Sequence, residues 1–213
     1  MSLIALVDYD SGNLHSAQKA FERMCRETGH GTVVVTSEPD VVAKADRIVL
    51  PGDGAFPSCK KALHAVDGLA EAITEAVEQK GKPFLGICVG MQMLAKRGFE
   101  YEETSGFGWV DGEIHKIAPT DKSLKVPHMG WNDLVIEQDH PVLDGIKTGD
   151  HAYFVHSYQM QMGDPSHRLA HVDYAGDITA IVGRENVIGT QFHPEKSQST
   201  GLRLIANFLT WRP

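Results

Sequence analysis

The first ninety residues alternate between continuous apolar runs and stretches of helical spacing, and few folds accommodate that order. Leu3–Val7 is apolar throughout, as a strand covered on both faces should be. Residues 32–35, 47–50 and 83–87 read as further strands. Between them, residues 11–27 place Leu14, Ala17, Phe21 and Met24 at helical spacing, and Gly29 supplies a stop. Residues 60–65 and 69–79 read as two more helices. Strands joined by helices predict right-handed crossovers and a parallel sheet. Beyond residue 105 the texture changes. Short runs at 112–117, 134–137, 153–158, 169–174, 178–182 and 187–191, separated by turn signals, read as hairpins and strands of a mixed sheet. From residue 201 a closing helix turns Leu202, Ile205, Phe208 and Leu209 inward. No repeat, low-complexity tract or linker divides the 213 residues. The expectation is one α/β domain over residues 1–213. It has three layers: a mostly parallel central sheet with flanking helices, and an antiparallel strand extension in the C-terminal half.

A formal charge of -8 argues against a broad nucleic-acid footprint. The opening apolar run has no basic residues before it and meets Asp8 after five residues, so it reads neither as a signal peptide nor as a membrane span. Cys25, Cys59 and Cys88 are too few and too scattered for a disulfide framework. A reducing cytoplasm is the natural setting, and there a cysteine can serve as a nucleophile.

Residues 86–90, Gly-Ile-Cys-Val-Gly, have the form of a nucleophile elbow with Cys in place of Ser. A strand precedes Cys88, and a helix is expected from Val89 to Ala95. Such a turn strains the nucleophile's backbone and demands small residues two before and two after it. The helix start would favour a thiolate, and the N–H of Val89 would point where an oxyanion forms. Against this stands ordinary packing, since cysteine and glycine are both common in buried turns. On the pentapeptide alone the two readings stand level. Cys25 and Cys59 read as packing or merely exposed residues, not as catalytic ones.

A thiol nucleophile benefits from an imidazole that carries protons. Eleven histidines make any single one poor evidence. His193, in "TQFHPEKS", follows an expected strand, with Glu195 two residues on. In extended chain both side chains share one side, so a carboxylate could orient the ring as the third member of a triad. Taken alone, a surface His-Pro-Glu turn is the commoner reading; beside the cysteine turn the catalytic reading overtakes it. Other histidine pairs, His151 with His156 and His167 with His171, fall in strand or loop segments without a Cys-x-x-Cys, so neither metal nor cofactor is expected. The "LPGDGAF" turn, residues 50–56, ends another parallel strand. Its glycines Gly52 and Gly54 let backbone approach a ligand beyond the strand ends, and it fits neither a P-loop nor a dinucleotide fingerprint.

Taken together, "PGDG", "GICVGMQ" and "QFHPEKS" resemble class I glutamine amidotransferases. Within that family, "DYDSGN", "PHMGWN", "YFVHSY" and "GTQFHPEKSQ" are similar to the glutaminase subunits of imidazole glycerol phosphate synthases. The resemblance runs from about Asp8 to Ser199. It implies a Cys88–His193–Glu195 triad that hydrolyses glutamine through a γ-glutamyl thioester, with oxyanion donors at the backbone of Asp53 and Val89. Gly52, Gly54, Gln92, His156, Ser157 and Tyr158 would then hold glutamine. It further implies a heterodimer whose other member is a (β/α)8 cyclase subunit, with Asn13, Tyr153 and Lys196 as candidates for the shared surface and the ammonia passage. One departure is the acidic Asp53, where an aliphatic residue is common in the family. Two other readings stay open: a glutaminase serving anthranilate, aminodeoxychorismate or pyridoxal phosphate synthesis, and a non-catalytic scaffold on the same fold.

Overall fold

The computed structural model describes residues 2–213. Strand β1 (Leu3–Val7) leads through helix α1 (Leu14–Thr28) to β2 (Thr32–Thr36), and α2 (Pro39–Lys44) connects to β3 (Arg47–Gly52). The helices α3 (Phe56–Ala65) and α4 (Leu69–Thr74), the latter extended by a π turn over Glu75–Gln79, lead to β4 (Phe84–Cys88). All three crossovers return the chain parallel, in the order β2-β1-β3-β4. Asn13 caps α1 by accepting the N–H of Ser16, and Gly29 ends it in the left-handed conformation. β3 and β4 are buried along their whole length, with Ile48, Val49, Leu50, Phe84 and Leu85 sealed from solvent. Each such side chain contributes roughly 1.5–3 kcal/mol. That surplus lets the strand ends carry strained turns.

The second half is built from shorter strands: β5 (Arg97–Gly98), β6 (Thr104–Ser105), β7 (Gly112–Lys116), β8 (His128–Asp133), β9 (Val135–Ile136), β10 (His151–His156), β11 (Tyr158–Met162), β12 (Arg168–Asp173), β13 (Asp177–Arg184) and β14 (Val187–Thr190). β14 joins β4 in parallel, and β13, β12 and β9 extend the same sheet antiparallel, giving eight strands in the order β2-β1-β3-β4-β14-β13-β12-β9. This is the α/β architecture expected, and two further helices complete it: the short α5 (Val89–Gln92) after β4, and α6 (Gln198–Thr210), which packs on α1 while α2 packs on α4. The remaining strands form a four-stranded sheet, β11-β7-β5-β6, and a two-stranded ribbon of β8 and β10.

Two local expectations are corrected, and one strand was not foreseen. Residues 153–158 are not one strand: β10 pairs with β8 up to His156, and after Ser157 the chain leaves to pair with β7 as β11. The imidazole of His156 holds that break by binding the Tyr158 carbonyl, 2.8 Å away. β8 carries no clear strand signal, because Pro127 stands just before it and Gly130 interrupts it. In α6, Leu204 is buried and Leu202 only half-buried, a rotation of the inward face from the one expected.

Registry then assembles the site. Gly52 pairs with Cys88 across β3 and β4, and Thr190 pairs with Ile87 across β14 and β4. The C-terminal ends of three adjacent parallel strands thus place the "PGDG" turn, the cysteine turn and residues 191–195 side by side.

Candidate active site

Cys88 is the last residue of β4 and sits at φ 54°, ψ -110°, a backbone conformation costly for any residue with a side chain. The turn closes because its flanks have no Cβ. One at Gly86 would fall 2.5 Å from the Gly90 carbonyl oxygen, and one at Gly90 would fall 1.9 Å from that of Leu50. The expected helix to Ala95 is shorter: α5 ends at Gln92 before the chain turns off. The dipole of a long helix is therefore missing, and the polar surroundings of Cys88 come from a side chain instead.

That side chain is His193. Nδ1 lies 2.9 Å from Oε1 of Glu195, and both side chains are almost fully buried. The segment is not extended as expected; Pro194–Lys196 form a 3-10 turn that brings the carboxylate back under the ring. Ser197 fixes that turn, its hydroxyl donating to the His193 carbonyl at 2.7 Å and accepting the N–H of Tyr153 at 3.0 Å. Burial opposes a charge on the His193 ring, but Cys88 and then Glu195 outweigh it and raise its pKa to about 10. Among the described residues, Nε2 has no nitrogen or oxygen partner, and the Cys88 thiol is the group that acts on it. Cys88, His193 and Glu195 thus meet at the carboxyl edge of the sheet, as sulfur, imidazole and carboxylate in series.

A cavity of about 250 Å³ opens beside the sulfur, lined among others by Asp53, Gly54, Gln92, Glu100, His156 and Tyr158. Its size suits a free amino acid. Gln92 spans one wall, donating to the Tyr158 carbonyl at 3.3 Å and to Gln191 Oε1 at 3.1 Å. Gln191 in turn donates to Cys88 Sγ at 3.7 Å. Gln191 and Glu100 were not singled out in the sequence. Gln191 opens the "QFHPEKS" motif two residues before His193, but nothing local marks its side chain as reaching the sulfur. Glu100 is buried and accepts the Phe56 N–H at 2.8 Å, a contact across 44 residues.

The "PGDG" turn is arranged differently. Gly52 packs so closely that a Cβ there would meet Tyr9 Oη at 2.8 Å and Gly90 N at 2.9 Å. Past it, the Asp53 N–H points to Ser11 Oγ, 3.4 Å away, and the same hydroxyl donates to the Asp53 carbonyl at 2.9 Å. Cys59, a buried packing residue as expected, lies 3.0 Å from Ser11 Oγ and 3.5 Å from the Asp53 carbonyl, so it belongs to this clamp as well. Burial raises its thiol pKa and keeps it protonated. The Asp53 side chain is exposed.

Of the other residues singled out, Asn13 is the α1 cap. Tyr153 lies on the outer face of the ribbon, its ring 5.8 Å from that of Trp131. Its carbonyl accepts the His193 N–H at 3.1 Å. Lys196 closes the turn that holds Glu195. Among the described residues, no group of three or more His, Cys, Asp or Glu side chains could hold a metal ion, and no helix is long and apolar enough to cross a membrane.

The family model for glutamine amidotransferase class-I matches residues 7–211. The chain is 68% identical over 211 residues to a Cereibacter sphaeroides protein named imidazole glycerol phosphate synthase subunit HisH, covering 99% of this chain and all of that one. A Ruegeria pomeroyi protein of the same name is 65% identical with the same coverage. Among solved structures, a glutamine amidotransferase from Thermotoga maritima superposes with a TM-score of 0.64 at 18% identity, covering 96% of this chain and 80% of that one.

Proposed function

The chain belongs to the class I glutamine amidotransferases, and from that premise we propose that it is the glutaminase subunit of an imidazole glycerol phosphate synthase in histidine biosynthesis. The observation that carries the chemistry is the Cys88–His193–Glu195 series beside an amino-acid-sized cavity. Near full-length identity to subunits of that synthase favours it over the anthranilate, aminodeoxychorismate and pyridoxal phosphate alternatives. A thiol in series with a buried imidazole and carboxylate speaks against a mere scaffold.

In this reading glutamine enters with its side-chain amide at Sγ and its α-ammonium towards the Glu100 carboxylate. Cys88 attacks the amide carbon. The oxygen's developing charge meets the Val89 N–H, and the Asp53 N–H joins only once its peptide has turned away from Ser11. His193 gives its proton to the departing nitrogen, the C–N bond breaks, and ammonia leaves a γ-glutamyl thioester. Water then attacks the thioester while His193 takes its proton. Glutamate departs and the sulfur is regenerated. Glu195 holds the ring's orientation and stabilises its charge throughout.

The name those relatives carry implies a second chain, which we take to be a (β/α)8 cyclase pairing one-to-one. Ammonia released into neutral water becomes ammonium, which is no nucleophile, so direct transfer to the partner preserves the reactive form. The exposed Met129 and Trp131, beside Tyr153 on the ribbon's outer face, are the apolar surface that best fits that contact. A cytoplasmic setting follows from the pathway and from the three free cysteines.

The test joins the chain to a cyclase partner in the presence of its formimino carboxamide ribonucleotide substrate. With glutamine, imidazole glycerol phosphate and the aminoimidazole carboxamide ribonucleotide form. Cys88→Ala abolishes that glutamine-dependent synthesis, by about 10⁴-fold or more, and leaves ammonium-dependent synthesis intact. Unchanged glutamine-dependent synthesis in Cys88→Ala overturns the assignment.

A further inference from the structure

His128 and His156 face each other directly in the β8–β10 ribbon and share its inner side, with His128 Nδ1 3.0 Å from His156 Nε2. The tautomers follow from the partners. His156 Nδ1 touches the Tyr158 carbonyl, which can only accept, so Nδ1 carries the proton and Nε2 accepts. His128 must therefore donate from Nδ1, which leaves its Nε2 as an acceptor. The Nδ2 amide of Asn132, 3.3 Å away, supplies the donor and also binds the Asp173 carbonyl at 3.2 Å. The chain is directional: Asn132 donates to His128, His128 to His156, His156 to the Tyr158 carbonyl. The same carbonyl accepts from Gln92 at 3.3 Å, and Gln92 reaches Gln191 and, through it, the sulfur of Cys88.

The surroundings hold His128 in place and keep it neutral. Its ring stacks on Tyr174 at 4.0 Å and on Phe154 at 4.9 Å, and Tyr174 is tied by its hydroxyl to the Lys125 carbonyl. A second proton on the His128 ring would have to sit on Nε2, against the Asn132 donor. Burial acts in the same direction and lowers the pKa of His128 to about 4 and that of His156 to about 3. Neutral, stacked and singly oriented, this pair is built to set a position, not to move protons.

Resting on the glutaminase reading, we propose that His128, with Asn132 behind it, is a positioning residue for glutamine. It fixes the tautomer of His156, and through it the Tyr158 carbonyl and the Gln92 amide that form one wall of the cavity. His128 touches neither glutamine nor the reacting atoms. Its loss loosens the wall and leaves the triad in place. The strand that carries it also bears Met129 and Trp131 on the outer face, so one ribbon shows an apolar surface outside and braces the cavity inside.

The experiment measures steady-state glutaminase kinetics on the complex with the partner subunit. His128→Phe keeps the stacked ring and removes both hydrogen bonds. The expected result is a KM for glutamine raised about tenfold, the effect of stranding one buried acceptor, with kcat within about threefold. His128→Asn retains a donor near the Nδ1 position and recovers part of the KM. Asn132→Ala raises KM in the parent and adds little in the His128→Phe background, because both act through one chain. A His128→Phe enzyme with parental KM, or one whose loss falls on kcat alone, overturns the proposal. Nitrogen-15 NMR of the unmutated protein gives a reading independent of any variant's folding. His156 must show a protonated Nδ1 and a bare Nε2, and the opposite tautomer overturns the relay. A parent complex without any glutamine turnover overturns the glutaminase reading instead, and the positioning role with it.

Discussion

Two turns sit one strand apart at the same edge of the sheet, with Gly52 of one paired to Cys88 of the other, and they stand in opposite states. The cysteine turn is finished: its strained backbone is locked by Gly86 and Gly90, and its imidazole and carboxylate are in place and buried. In the neighbouring turn the Asp53 N–H faces Ser11 instead of the cavity. In the proposed mechanism the nucleophile is preorganised and half of its electrostatic support is not. If Val89 and Asp53 are the oxyanion donors as proposed, the charge created by attack finds one donor where two are needed, and removing one such donor costs about 10²–10³ in rate. On the proposed assignment, the reaction would be gated at the oxyanion and not at the thiol.

Several substitutions would break or sharpen this contrast. The largest effect is expected from Gly90→Ala, whose methyl carbon would stand 1.9 Å from a backbone oxygen of β3, which cannot rotate aside as a side chain could. The loss is about 3 kcal/mol or more of stability, read by denaturant unfolding, and glutaminase activity goes with it. Glu195→Gln comes next. It leaves the fold intact but lowers kcat by about 10²–10³-fold in the complex, since the amide neither fixes the tautomer nor supports the imidazolium.

The same change tests the charge on His193. With its folded pKa raised to about 10, the charged ring stabilises the native state fully below about pH 6.5. That stabilisation is lost as the pH rises from there through 10, because the unfolded chain releases the proton first. Unfolding midpoints should fall across this window in the parent protein and fall less in Glu195→Gln. The smallest effect belongs to the other turn. Ser11→Ala removes both hydrogen bonds to the Asp53 peptide and should raise glutamine turnover by the free chain about fivefold, while changing turnover in the complex little.

The contrast also explains what could be read from the chain alone. Cys88 was legible because a strand, two glycines at fixed offsets and a following turn are all local. His193 and Glu195 were legible because they are neighbours, although their shared geometry comes from a 3-10 turn and not from extended chain. The parallel half of the fold was legible because its strands are buried on both faces and read as apolar runs. The ribbon was not, since Gly130 and the half-exposed pattern of β8 hide its period. Ser11 against Asp53, His128 against His156, Glu100 against Phe56 and Gln191 against Cys88 join residues 28 to 103 apart, and no local pattern announces such pairs. The acceptors and donors in these pairs are ordinary polar side chains until the sheet registry brings them together.

The central claim is that the thiol is ready and the oxyanion support is withheld. The most direct measurement compares glutamine turnover by the free chain with turnover by the same chain bound to the proposed cyclase partner carrying the ribonucleotide. The account predicts a free-chain rate lower by about 10²-fold or more, the cost of one missing donor. Equal rates in the two states would mean that the Asp53 peptide turns without help, and would contradict it.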